Sequence, residues 1–178
     1  MSSLAREKAR NLLKELDTFS LPVDVRKIAK HKNVVLLESP GDGVNVSGAL
    51  IRAKGHTLIA VNSDHSETRK RFTIAHELGH FSMHHKPVFI DNEDTTVIFR
   101  SDTKNRSEAE ANTFAAELLM PSKYVKQDFN NLKESFLSNG KLTRLHIQAI
   151  ISSLAEKYFV SKDAMKYQLM NLSLINEG

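Results

Sequence analysis

His76, Glu77 and His80 form an H-E-x-x-H pattern inside the stretch 71–85. On a helix, positions i and i+4 stand one above the other on the same face. Two imidazoles placed so can hold one divalent ion from the same side. Glu77, beside His76, projects at the edge of that face, within reach of a water on the ion. This spacing suits a zinc hydrolase in which Glu77 is the general base. The motif is short enough to arise by chance, so its flanks matter. Phe72, Ala75, Leu78 and Phe81 are apolar, which predicts a buried helix. Two histidines and a glutamate buried without partners would be costly, and a metal supplies a partner. The bland alternative is a core helix whose histidines bond to backbone.

Two histidines do not complete a catalytic zinc site, which ordinarily has three protein ligands and an open position. The candidate acids lie in the next helical pattern, 106–121, closed by Pro121. At 3.6 residues per turn, Glu108, Ala111, Ala115 and Leu119 share a face, with Asn112 and Phe114 flanking it. Small alanines there would let this helix lie close against the metal helix, over Gly79. Glu108 then points at the His76/His80 pair from the first turn. Glu110 is turned to the opposite side, and Glu110 and Glu117 read as solvated helix acids. Asn112 is a candidate support for a ligand. A peptide hydrolase also needs a donor for its oxyanion, and His84, His85 and Arg71 are the candidates. His84 falls on roughly the same helical face as His76.

Several elements must position these residues. Leu4, Leu12, Leu13 and Leu16 recur at helical spacing over 3–17. Ser20-Leu21-Pro22 interrupts the pattern, and Pro22 can open a second helix with Val25, Ile28 and Ala29 inside. Val34–Leu37 reads as a strand, and 39–43 as a turn. The stretches 44–51 and 56–61 read as two more strands around a hairpin. Asp64 with Glu67 resembles a capping box for the metal helix, and Pro87 ends that region. Residues 87–105 are expected to be irregular, with one apolar patch at 97–99. Helices are predicted over 108–120, 129–136, 142–158 and 161–172. The fold class is therefore α+β and zincin-like, mostly helical, with a small three-stranded sheet beside the metal-binding helix. The expected division is a metallopeptidase domain over 1–125 and a helical subdomain over 126–178, packed on it.

The chain of 178 residues is 40% apolar and 26% charged, enough for one core-bearing domain or one domain with an appendage. No apolar run approaches the roughly 20 residues of a membrane span. Arg6, Glu7, Lys8 and Arg10 crowd the start, which is unlike a secretory signal. The chain has no cysteine, which excludes disulfide scaffolds and thiolate-held zinc. A cytoplasmic protein is expected. The net charge of +4 is too modest to identify a nucleic-acid partner.

Two motifs together, Arg71-Phe72-x-x-x-His76-Glu77-x-x-His80 and Glu108-x-x-x-Asn112-x-Phe114-Ala115-Ala116-x-Leu118-Leu119-Met120-Pro121, resemble the ImmA/IrrE family of bacterial and mobile-element metallopeptidases. Weaker similarities lie at Pro22-Val23-Asp24, Val46-Ser47-Gly48-Ala49, Ile59-Ala60-Val61-Asn62 and 159–169, so the resemblance spans about 20–172. One departure is Gln168 before Leu169, where the family often has an arginine. The resemblance implies one zinc ion on His76, His80 and Glu108, with Glu77 as base. It also implies a substrate: a helix-turn-helix repressor whose cleavage relieves repression of a mobile element or stress regulon. The alternative is a catalytically silent zincin-fold regulator that binds a transcription factor or DNA. The tail could itself be a helix-turn-helix with Leu154, Phe159, Val160, Ala164, Met165 and Leu169 as its core. Few basic residues face outward there, which favours packing or partner docking over DNA reading. Manganese or iron could also occupy two imidazoles and a carboxylate.

Overall fold

The computed structural model describes residues 3–16, 20–41, 47–53, 55–84, 89–90, 95–99, 106–137 and 142–176. Among them the chain forms α1 (Ser3–Lys14), α2 (Val25–His31), β1 (Val34–Ser39), β2 (Gly48–Ala53), β3 (His56–Asn62) and α3 (Glu67–Ser82). These are followed by β4 (Phe89–Ile90), β5 (Thr95–Phe99), α4 (Arg106–Leu119), α5 (Ser122–Leu137), α6 (Arg144–Tyr158) and α7 (Lys162–Asn171). The protein is mostly helical, with its sheet beside the helix that carries His76 and His80. No helix among the described residues is long and apolar enough to cross a membrane.

The three expected strands are present, and two more extend the sheet to the order β1-β3-β2-β5-β4. β1 runs parallel to β3, with Val34 opposite Thr57, while β2 and β3 form the expected antiparallel hairpin, with Ala53 opposite His56. Part of the stretch expected to be irregular is therefore strand: β5 pairs with β2, Phe99 opposite Ala49, and β4 pairs with β5. The sequence Thr95-Thr96-Val97-Ile98-Phe99 has the β-branched and aromatic composition that fits a pleated surface. The remainder of 87–105 lies outside the described residues, as do 42–46, which include the expected start of the second strand.

Helix boundaries shift where local hydrogen bonds outcompete the simplest reading. Pro22 does not open α2. Asp24 caps it instead, its carboxylate accepting from the backbone N–H groups of Arg26 and Lys27, each at 3.0 Å. The Asp64/Glu67 capping box is likewise not formed. The Asp64 carboxylate accepts from Gly41 N–H (3.1 Å), and Asp64 N–H donates to Asn62 Oδ1 (2.9 Å). This ties the end of β3 to Gly41, just after β1, and α3 starts from Ser66. α5 begins at Ser122, directly after Pro121, seven residues before the apolar pattern suggests. Its first turn is held by Glu117 of the preceding helix, which accepts from Ser122 N–H (3.2 Å) and from its hydroxyl. α6 carries a complete capping box between Thr143 and His146.

One apolar cluster joins α1, α2, the sheet, α3, α4 and the C-terminal helices, with Ile59, Leu78, Phe114, Leu118, Ile150 and Tyr158 among its fully buried members. It crosses residue 125 without a break. α3 packs between the sheet and α4, through a contact that requires glycine at Gly48 and one that is tight at Gly79. A Cβ on Gly48 of β2 would come within 2.3 Å of Thr73 Cγ2 and 2.8 Å of the Ala60 carbonyl. A Cβ on Gly79 of α3 would meet Ala111 Cα at 3.1 Å, Ala111 O at 3.2 Å and Phe114 Cβ at 3.3 Å. The expected approach of the alanine face of α4 over Gly79 is what the structure shows.

Candidate metal centre

α3 carries His76 and His80 one turn apart, and both are buried. Their Nε2 atoms lie 3.0 Å from each other. α4 runs past them and delivers Glu108 from its first turn, Oε2 being 3.2 Å from His76 Nε2 and Oε1 3.2 Å from His80 Nε2. An acid in a helix's first turn also sits well with the N-terminal dipole. The close Gly79–Ala111 contact makes this possible: Ala111 lies one turn after Glu108, so the tight seam at Gly79 sets the carboxylate's reach. Burial alone would raise the Glu108 carboxyl, but hydrogen bonds and charge from His76 and His80 outweigh it and hold it down at about 2. Glu108 is therefore a carboxylate at any physiological pH.

The donor set fits a divalent ion. Among the described residues, His76, His80 and Glu108 form a group whose ligand atoms all lie within 4.8 Å of one another. Three atoms ligating a tetrahedral zinc at about 2.0–2.2 Å stand about 3.3–3.6 Å apart, so only a small spreading of this set would seat an ion. Asn112, one turn after Glu108, supports the ring of His76. Its Oδ1 lies 2.9 Å from Nδ1, where a ring proton donates to it. That tautomer leaves the Nε2 lone pair directed at the centre.

Glu77 is also buried, with 1% of its surface exposed, beside the ligand pair on α3. The structure does not bring all the oxyanion candidates to this point. His84 lies beyond the end of α3, exposed and with a left-handed backbone (φ 54°), so helical-face reasoning does not apply to it. His85 lies outside the described residues. Arg71 faces the turn between α6 and α7. Its Nε donates to the Phe159 carbonyl (3.2 Å), and its guanidinium stands 5.3 Å from the centre of the Phe159 ring. Phe159, expected in the core of the tail, is instead exposed, because it takes a left-handed conformation to end α6. Glu117, read as solvated, is buried and pairs with Arg10 of α1 at 2.8 Å. Its partners lie on elements that no local pattern links to it. Glu110, also read as solvated, is half-buried, with 15% of its side chain exposed, and pairs with Arg106 one turn away at 3.0 Å.

A concavity about 710 Å³ in volume adjoins the centre, between α3, α4 and α7. Asn112 and Phe72 line it, and the Phe72 ring centre lies 6.3 Å from that of His76. The sequence carries no signal for this groove, because its walls are nearly a hundred residues apart.

A helix presenting two histidines, a carboxylate from a second helix and a sheet alongside define a zincin-like metallopeptidase fold. Residues 29–170 match the Peptidase M78 family model, described as the IrrE N-terminal-like domain, and the chain belongs to that family. It is also similar to "Uncharacterized immunity region protein 2" of Bacillus phage phi105, 34% identical over 74 residues. That match covers 42% of this chain and 44% of the phage protein, so the chain spans less than half the length of this curated relative.

Proposed function

We propose that the protein is a zinc-dependent endopeptidase that cleaves a helix-turn-helix repressor and so relieves repression of a mobile element or stress regulon. The observation that carries the reading is the convergence of His76, His80 and Glu108 with Glu77 buried beside them. A silent binding module could use the same fold, but it would have no use for a carboxylate buried next to the ligand pair. The likeness to a phage immunity-region protein supports a repressor as the substrate. Such a substrate would place the activity in the cytoplasm.

His76, His80 and Glu108 would hold one ion, and Asn112 would fix the tautomer and orientation of His76. A bound zinc supplies Lewis acidity for the scissile carbonyl and lowers the pKa of water to about 7. Glu77 takes the proton of the attacking water and passes it to the leaving amine. In this division of labour residues 1–125 carry the chemistry. The helical subdomain 126–178, packed on them, orients the substrate.

The test is Glu77→Gln, with zinc content and cleavage measured on the repressor encoded beside this gene. The variant should bind zinc as the wild type does and lose at least about a hundredfold in turnover, the usual contribution of a positioned base. Full activity in Glu77→Gln would end the proposed mechanism.

A further inference from the structure

The groove beside the metal centre is not used by the chemistry above. It begins where that centre ends. Along α3 the row His80, His76, Phe72 continues to Arg69; along α4 the row Glu108, Asn112, Ala116 continues to Met120, running the opposite way. Asn112 belongs to both places, bonding to His76 and lining the groove. α7 forms the third wall through Ala164 and Tyr167.

That wall is clamped. Gln168, buried on α7, donates from Nε2 to the Met120 carbonyl at the end of α4 (2.8 Å). Arg71 holds the start of the turn before α7 through the Phe159 carbonyl. The walls are thus fixed relative to one another from two sides, so the groove is formed before anything enters it.

Its lining states what it accepts. Phe72, Ala116, Met120 and Ala164 make an apolar floor, and Tyr167, 65% exposed, stands at the rim. Among the described residues that line it there is no carboxylate, and the one charge is Arg69 at the end away from the metal centre. Arg69 donates to Ser47 Oγ (2.8 Å) and has no carboxylate partner among the described residues. The volume lies within the range of about 300–1,000 Å³ typical of ligand sites.

We propose that this groove, walled by α7, is a substrate subsite that takes a large apolar side chain close to the cut bond and an acidic residue further along, toward Arg69. The proposal rests on the peptidase reading for what the peptide is, but the groove's preference is measurable without cleavage. It makes α7 a specificity element rather than a DNA reader.

The probe is the full-length, zinc-loaded protein titrated with acetyl-Leu-Ala-Asp-amide, followed by NMR of the Ala116 and Ala164 methyls and the Tyr167 ring. Saturable shifts at these three residues are expected, and much weaker binding when Asp replaces Leu in the peptide. Ala164→Phe, which fills the groove, should abolish the shifts at Ala116 and Tyr167 while zinc stoichiometry stays at that of the wild type. Should that variant misfold, Tyr167→Ala, altering an exposed residue, should still weaken binding. Arg69→Gln should weaken it by about two- to fivefold, the scale of an exposed ion pair. Unmoved signals, equal binding of the Asp-substituted peptide, or binding undiminished in both groove variants would overturn the proposal. Groove binding without any repressor cleavage would remove the peptidase reading and leave the subsite. Repressor cleavage without groove binding would do the reverse.

Discussion

At the scale of single residues, the centre depends on how each ligand is held as much as on which residues are present. Asn112 does no chemistry, yet it decides which nitrogen of His76 carries the proton. Asn112→Ala should lower zinc affinity by about 10–100-fold, the range for supporting partners of ligands, with the fold kept. Competition against a chelator would measure this, and an unchanged affinity would show that the bond is incidental. Protons compete for the same atoms. Ligation needs neutral imidazole and ionised carboxylate. Glu108, held at about 2, is already ionised across the physiological range, so zinc binding should draw no proton from it. In the infrared spectrum of the metal-free protein the Glu108 carboxylate band, assigned by its absence in Glu108→Gln, should persist below about pH 4, where a free glutamate protonates. A carboxylic-acid band for Glu108 already present at pH 5 would contradict it.

At the scale of elements, the decisive feature is the seam between α3 and α4. A Cβ on Gly79 would stand only 3.1–3.2 Å from Ala111 Cα and O, which are backbone and cannot turn aside as a side chain could. Gly79→Val would force the helices apart and cost about 1–3 kcal/mol, as overpacking does. Because Glu108 and the two histidines sit on opposite sides of that seam, the same change should weaken zinc binding although no ligand is altered. A variant that melts earlier but binds zinc as tightly would separate the seam from the site. Glu117 links three helices in a similar way, joining Arg10 of α1 to the first turn of α5.

At the scale of the whole molecule, a metal bound between α3 and α4 would be a tie between halves of the core. It would stabilise the folded state by about 2.7 kcal/mol at a free concentration a hundred times its dissociation constant. Thermal unfolding should therefore shift upward with added zinc and return when the metal is chelated. Glu108→Ala should lose that response while keeping much of the metal-free stability, since the apolar cluster from Ala5 to Leu169 does not include Glu108. A zinc-independent melting curve for the wild type would argue against the centre.

Much of this molecule was legible in the order of its residues, because helical spacing and small residues act locally. The i, i+4 histidines, the alanine face carrying Glu108 and the approach over Gly79 all follow from a period of 3.6. What remained hidden depends on atoms far apart in the chain. Glu117 reads as a surface acid until Arg10 is folded against it, Arg71 as a candidate oxyanion donor until its Nε is seen donating to the Phe159 carbonyl, and Asp64 as a cap until Gly41 N–H claims its carboxylate. The groove joins Phe72 to Tyr167 only because α7 returns across the molecule. Periodicity reports which face of an element is apolar; only packing decides what that face meets.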